Sequence, residues 1–150
     1  LSSMMARQHE ALFPVLEELN VGFVAFSPMA NGLLTACYGK DDKFDPKLDY
    51  RSAMPQFTPE AAEENRELLN LLNNMATEKH ATPAQLSPAW MLCKKPYIVP
   101  IPGSRKVERM RENAGAAEVQ LSAAEVAQMD HILDTIPMSA VFGGTKVINK

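Results

Sequence analysis

Apolar positions follow two different periods along this chain, and their alternation predicts its fold class. Over 10–19, Leu12, Val15, Leu16 and Leu19 recur at helical spacing, with Glu17 and Glu18 on the other side. Pro14 falls in the first turn, where a missing N–H costs little, and Asn20 suits a left-handed C-terminal cap. Val21 to Phe26 is then almost wholly apolar and stops at Ser27-Pro28. A strand apolar on both faces predicts a parallel sheet covered by helices.

From Met29 to about Thr58 no period is visible, and Gly32, Gly39, Pro46 and Pro55 punctuate a long loop of the kind that carries function. A helix is predicted over 59–79, with Leu68, Leu69, Leu71, Leu72 and Met75 on its inner face. Thr82-Pro83-Ala84-Gln85 opens another through a capping box, and Lys94-Lys95 suit its C-terminal end. Pro88 lies inside that helix and is expected to remove one backbone bond and kink it. A second strand spans 97–102, and Gly103-Ser104-Arg105-Lys106 leads directly into a helix over 107–114. Ser122-Ala123-Ala124-Glu125 is a second capping box, starting a helix to about Thr135. The tail, 137–150, has no clear period, and Gly143-Gly144 argues against a helix there.

Strands alternating with helices predict an α/β architecture with parallel strands. Two strands alone do not make a stable parallel sheet, since each needs neighbours at its edges and cover on its faces. The whole chain, 1–150, is therefore expected to be a single partial domain, a piece of a larger barrel. Leu1 stands where an initiator Met is usual, with no helix or turn signal around it, so an upstream segment is expected.

Composition narrows the function classes. Apolar residues make up 46% and charged residues 22%, which is neither a disordered nor a membrane composition. No apolar run reaches the length of a membrane span, and the first residues lack the order of a signal peptide. A net charge of -3 gives no basic field for nucleic acid, although basic residues cluster from Arg105 to Arg111. Cys37 and Cys93 are too isolated for a disulfide framework or a zinc site, and buried or half-buried thiols in a reducing cytoplasm are expected. His9, His80 and His131 have no partners at ligand spacing, so surface or capping roles are expected and no metal. No phosphate-loop, dinucleotide-glycine or nucleophile-elbow motif occurs.

Three segments are unusual for plain scaffolding. Phe26-Ser27-Pro28-Met29-Ala30-Asn31-Gly32 follows an apolar strand, where barrels place their active-site loops. An aromatic there can lie against a planar ring, and small residues let backbone N–H groups approach an anion. The same pattern also fits a core phenylalanine before an ordinary turn. Ser104, Arg105 and Lys106 sit at a helix N-terminus, an anion site by its free N–H groups and dipole, and Arg109, Glu112 and Asn113 share one face of that helix. A solvated basic helix end would read the same way. Phe44 to Arg51 carries charges of alternating sign, which suits a solvated loop or a lid with internal ion pairs.

In order and spacing, these segments resemble the aldo-keto reductases over about 10–138. Phe23 to Thr35 is similar to the family's seventh barrel strand and cofactor loop, and Asp49-Tyr50-Arg51 with Pro55-Gln56-Phe57 and Asn65 fits the large loop after it. Thr82-Pro83-Ala84-Gln85-Leu86 with Ala89-Trp90 resembles the seventh helix, and Ile98 to Lys106 with Glu112-Asn113 the eighth strand and phosphate loop. The resemblance implies the C-terminal portion of a (β/α)8 barrel with about two intact parallel strands and flanking helices. It implies that 29–58 is a cofactor and substrate loop and that the cofactor is NADP(H). Phe26 would stack on nicotinamide, while Ser27, Met29, Asn31 and Gly32 would hold the pyrophosphate. Ser104, Arg105 and Arg109 would grip the 2′-phosphate, with Glu112 and Asn113 at adenine.

The family's catalytic Asp, Tyr, Lys and His belong to the first half of the barrel, and none has a counterpart here; Tyr38, Tyr50 and Tyr97 are outside that motif. Ala36, where a Gly is common, and Pro88 are smaller departures. The resemblance thus implies a cytoplasmic fragment of an NADPH-dependent reductase of aldehydes and ketones. The fragment would hold cofactor loops, have no catalytic residue and be inactive alone. The alternative is a non-catalytic nucleotide-binding or oligomeric interaction module. In the intact parent the implied partners are NADPH and a small carbonyl compound, and self-association or the missing N-terminal half would cover the open faces of this chain.

Overall fold

A computed structural model describes residues 3–141. A 3-10 segment, Arg7–Leu12, leads into α1 (Phe13–Leu19), which ends where Asn20 takes the left-handed conformation (φ 53, ψ 47). Strand β1 (Phe23–Phe26) follows, then the long loop with 3-10 turns at Ala30–Thr35, Tyr50–Ala53 and Pro55–Phe57. The loop expected to lack periodic structure therefore carries three short helical turns. Next come α2 (Pro59–Glu64), α3 (Arg66–Glu78), α4 (Pro83–Lys94), β2 (Ile98–Ile101), α5 (Val107–Ala114) and α6 (Ala123–Thr135).

Both capping boxes form. Gln85 N donates to Thr82 Oγ1 (3.3 Å) and Thr82 N to Gln85 Oε1 (3.0 Å). The pair of Ser122 and Glu125 closes α6 in the same way at 3.2 and 2.8 Å. The single helix expected over 59–79 is two helices that break at Asn65. That side chain is fully buried: its Nδ2 donates to Ser139 Oγ (2.8 Å) and its Oδ1 accepts from Ser139 N (2.9 Å). The break thus anchors residues 137–141, while the rest of the expected tail, 142–150, lies outside the described residues. Leu68, Leu72 and Ala76 of α3 are buried one helical turn apart, with Leu69, Leu71 and Met75 half-buried beside them. Helix α4 runs through Pro88 to Lys94, the extent expected from the sequence.

The apolar residues of α4 form the centre of the core. Leu86, Ala89, Trp90 and Met91 have no exposure and meet Leu68 and Leu72 of α3, Ile98 of β2, and Met129 and Leu133 of α6 in one cluster. Trp90 Nε1 donates to Asp130 Oδ1 (3.0 Å), so the buried indole keeps a partner. Lys94 Nζ, nearly buried, bridges Glu10 (2.9 Å) and Asp130 (2.7 Å) and ties the first helical turns to α4 and α6.

Four sequence expectations need correction. Phe13, not Leu12, Val15 or Leu19, is the inward residue of the first helix, and it meets Phe23 and Tyr97 edge-on at 6.3 and 6.0 Å. The first turns wind as 3-10 helix, so the face rotates, and Leu12, Val15 and Leu19 point outward. The strands pair in parallel with Phe23 opposite Ile98 and Phe26 opposite Ile101. One face, with Ala25 and Ile98, is covered; the other carries Val24, Phe26, Val99 and Ile101, each 52–63% exposed. Strands expected to be apolar and covered on both sides are covered on one among the described residues. Cys37 is also exposed where a buried or half-buried thiol is expected, whereas Cys93 is half-buried. Of the histidines, His80 and His131 are exposed, but His9 is half-buried with its Nδ1 enclosed and unpaired.

Candidate functional site

Parallel pairing in register places the C-terminal ends of β1 and β2 side by side, so the loops that leave them open on the same end of the sheet. The chain leaves β1 through a turn with four left-handed residues, Ser27 (φ 49), Ala30 (φ 47), Asn31 (φ 60) and Gly32 (φ 101). Three of these are not glycine, and such conformations persist only where the surroundings enforce them. The enforcing contacts are visible. Ala30 N and Gly32 N donate to Ser27 O and Met29 O (both 3.0 Å), and Ser87 Oγ, buried in α4, donates to Pro28 O at 2.7 Å. Gln56 Nε2 reaches Asn31 Oδ1 at 3.2 Å. Gly32 has a positive φ, and a Cβ there would lie 3.2 Å from the Tyr38 ring. Ala36, the departure from the more common Gly, also takes φ 55 as the cap of this segment.

Beyond β2, Gly103-Ser104-Arg105-Lys106 runs into α5. Ser104 Oγ accepts from Lys106 N (3.2 Å), and among the described residues no side chain caps the helix. Its first N–H groups therefore remain available, together with the positive end of the helix dipole. Arg105, Lys106 and Arg109 are exposed around that end.

The two loops enclose one cleft of about 580 Å³, which is within the size range of small-molecule sites. Ser27, Met29, Asn31 and Gly32 line one wall, and Ser104, Arg105 and Arg109 the other. Phe26 stands beside it at the strand end, on the open sheet face opposite Ile101. Glu112 and Asn113 do not line it: Asn113 is buried, and the Glu112 carbonyl accepts from Gln85 Nε2 (3.0 Å). Among the described residues no group of three His, Cys, Asp or Glu is placed to hold a metal. No described helix is long and apolar enough to cross a membrane.

The cleft has further lining from the expected cofactor and substrate loop, at residues to which the sequence reading gave no individual role: Tyr38, Tyr50 and Arg51. The Arg51 guanidinium lies 4.7 Å from the centre of the Tyr38 ring and 4.3 Å from that of Phe44. Asp49 binds it through two nitrogens, Nε (3.0 Å) and Nη2, an ion pair internal to this loop. Each holds the other charged: the hydrogen bond from Arg51 pulls the Asp49 carboxyl below its ordinary range, and Asp49 pushes the guanidinium up. In the sequence this cluster was marked by opposite charge two positions apart and by the place of Asp49-Tyr50-Arg51 in the large loop of the family pattern. Ser87 was legible only as a polar residue among the apolar ones of α4.

The sequence model of the Aldo/keto reductase family matches residues 2–134. The aldo-keto reductase str7 of Strobilurus tenacellus is 37% identical over 117 residues, covering 78% of this chain and 34% of its own length. The aldo-keto reductase yakc [NADP(+)] of Schizosaccharomyces pombe is 38% identical over the same coverage. Among solved structures, a thermostable aldo-keto reductase in complex with the inhibitor epalrestat superimposes with a TM-score of 0.58 at 26% identity, covering 86% of this chain and 36% of that one. Aldose reductase from Giardia lamblia, at 18% identity and a TM-score of 0.55, covers 90% of this chain and 36% of its own and shares the fold. This chain spans about a third of the length of the curated relatives it matches.

Proposed function

The chain belongs to the aldo/keto reductase family and folds as part of its (β/α)8 barrel, and from that premise we propose that its cleft holds NADP(H) for the reduction of aldehydes or ketones in the whole protein. The observation that carries this reading is the shared cleft. Two loops from neighbouring parallel strands, one a tight turn and one a cationic helix end, line a single cavity.

The residues fit the cofactor's chemistry. Ser104, the uncapped start of α5, Arg105 and Arg109 offer hydroxyl, N–H and guanidinium donors suited to the 2′-phosphate. Ser27, Met29, Asn31 and Gly32 form the wall for the pyrophosphate, and Phe26 presents an exposed ring for the nicotinamide. Glu112 and Asn113, at the far end of α5, would meet adenine only if it extends past Arg109.

When bound, NADPH supplies a hydride to the carbonyl carbon, and the oxygen takes a proton to give the alcohol. The acid that donates this proton contributes about 10²–10⁴-fold, and no residue of this chain is assigned that role. In this proposal the 150 residues bind and orient the cofactor, and the rest of the barrel completes the chemistry.

Fluorescence titration of the purified chain tests the reading: NADPH binds more tightly than NADH, and Arg105→Ala narrows the difference by about 1–3 kcal/mol. Mixed with NADPH and nitrobenzaldehyde, the chain shows no turnover. Equal affinity for both cofactors, or clear turnover, would contradict the proposal.

A second reading, a non-catalytic interaction module, is favoured by one observation, the open apolar face of Val24, Phe26, Val99 and Ile101. A patch of this kind calls for a partner surface. A clean monomer by light scattering counts against it.

A further inference from the structure

A second cavity, of about 200 Å³, lies between the long loop and the helices α2 and α3, and the cofactor scheme does not use it. Leu33, buried, and Phe57 and Leu69, half-buried, give it apolar walls, while the exposed Lys40 and Arg66 stand at its rim. The volume suits a single six-membered ring, since an apolar cavity of about 150 Å³ holds benzene. Charge at the rim sets the sign of what the ring can carry. Glu63, an acid in the lining, is paired with Arg66 at 3.1 Å. Asp41 and Asp42 do not line the cavity, and the Asp42 carboxylate accepts from Gly39 N (2.7 Å). Among the described residues no salt bridge engages Lys40, which leaves a cation beside apolar walls. A ring bearing a carboxylate meets both features at once.

We propose that this cavity is a second binding site, for a small single-ring carboxylate, and that its occupant is felt in the cofactor cleft through Tyr38. Tyr38 lines both cavities. Its ring meets Phe57 edge-on at 6.0 Å on one side and stands 3.2 Å from where a Cβ on Gly32 would lie on the other. Gln56 makes a second link, because it lines the new cavity while its Nε2 reaches Asn31 Oδ1 (3.2 Å) in the cleft wall. A ligand packed against Tyr38 and Phe57 holds the ring that bounds the Gly32 turn. The dinucleotide then meets a wall already ordered, so the two ligands bind with positive coupling. The coupling rests on the dinucleotide reading of the cleft; the carboxylate site does not.

Benzoate is the probe, followed by backbone amide NMR on the purified chain. Saturable shifts should appear at Lys40, Ala62 and Arg66 and not at Ser104 or Arg109. Lys40→Gln should weaken benzoate about three- to fivefold, the scale of an exposed charge pair, and uncharged benzyl alcohol should bind wild type more weakly than benzoate does. Ala62→Leu, which puts a larger side chain into the cavity, should abolish the shifts while the far-UV spectrum stays that of wild type. At saturating benzoate, NADPH should bind wild type about fivefold more tightly and Ala62→Leu no differently. The absence of saturable shifts overturns the site, as do shifts centred on Ser104 and Arg109, which would put benzoate in the cleft, or full affinity in both variants. NADPH affinity that is unchanged or weakened by benzoate overturns the coupling. If wild type binds no NADPH at all, the dinucleotide reading fails and the coupling with it, while the amide shifts and the two variants still decide the carboxylate site.

Discussion

Replacing Ser87 by alanine removes a single oxygen from beneath the cleft, and the structure gives the scale of its effect. Ser87 has no exposure, and its Oγ donates 2.7 Å to the carbonyl of Pro28, itself buried. Alanine leaves that carbonyl enclosed without its donor, at a cost of about 1–3 kcal/mol. For a chain of this size each kcal/mol moves Tm by roughly 2–4 °C, so a fall of about 2–12 °C is expected. The loss also reaches the site, because Pro28 lies between the left-handed Ser27 and Ala30 and the bond holds that turn to α4. Urea unfolding should show a lower midpoint at an unchanged slope, and NADPH titration a weaker affinity. A loss below about 0.5 kcal/mol, the range of ordinary surface substitutions, would show that the hydroxyl does not anchor the turn.

Two more perturbations probe the same scaffold. Lys79, and then Ser122, hold the Glu125 carboxyl well below its ordinary value of 4.5, at about 2. A lowered folded-state value means that stability gained above 4.5 is lost as pH falls towards 2, so acid melts of Glu125→Gln should be flatter over that window; a profile like wild type contradicts the assignment. Gly32→Ala forces a side chain into φ 101 and to within 3.2 Å of Tyr38, with an expected cost of about 1–2 kcal/mol by urea unfolding and weaker NADPH binding. Wild-type values in both assays would show that the turn is not constrained.

Local chemistry was legible where both partners lie within a few residues. The two capping boxes, the left-handed Asn20 and the helix that starts at Val107 all follow from short-range rules. What depended on distant partners was not legible. Asn65 breaks its helix and bonds Ser139, which is 74 residues away. Val21 to Phe26 is apolar at nearly every position, and such a run does not say which face will be covered. The cleft followed the same division: Ser27 to Gly32 and Ser104 to Arg109 were marked by strand ends and a helix start. Arg51 reaches the site only through the path of a long loop, and the expected adenine contacts, Glu112 and Asn113, stand outside the cleft wall.

The account depends on one nucleotide touching two loops that are some seventy residues apart in sequence. Following backbone amide signals by NMR as NADPH is added tests this directly. The amides of Asn31 and Gly32 should shift along the same saturation curve as those of Ser104 and Arg109. Shifts restricted to one of these loops, or two curves with different midpoints, would contradict a shared site.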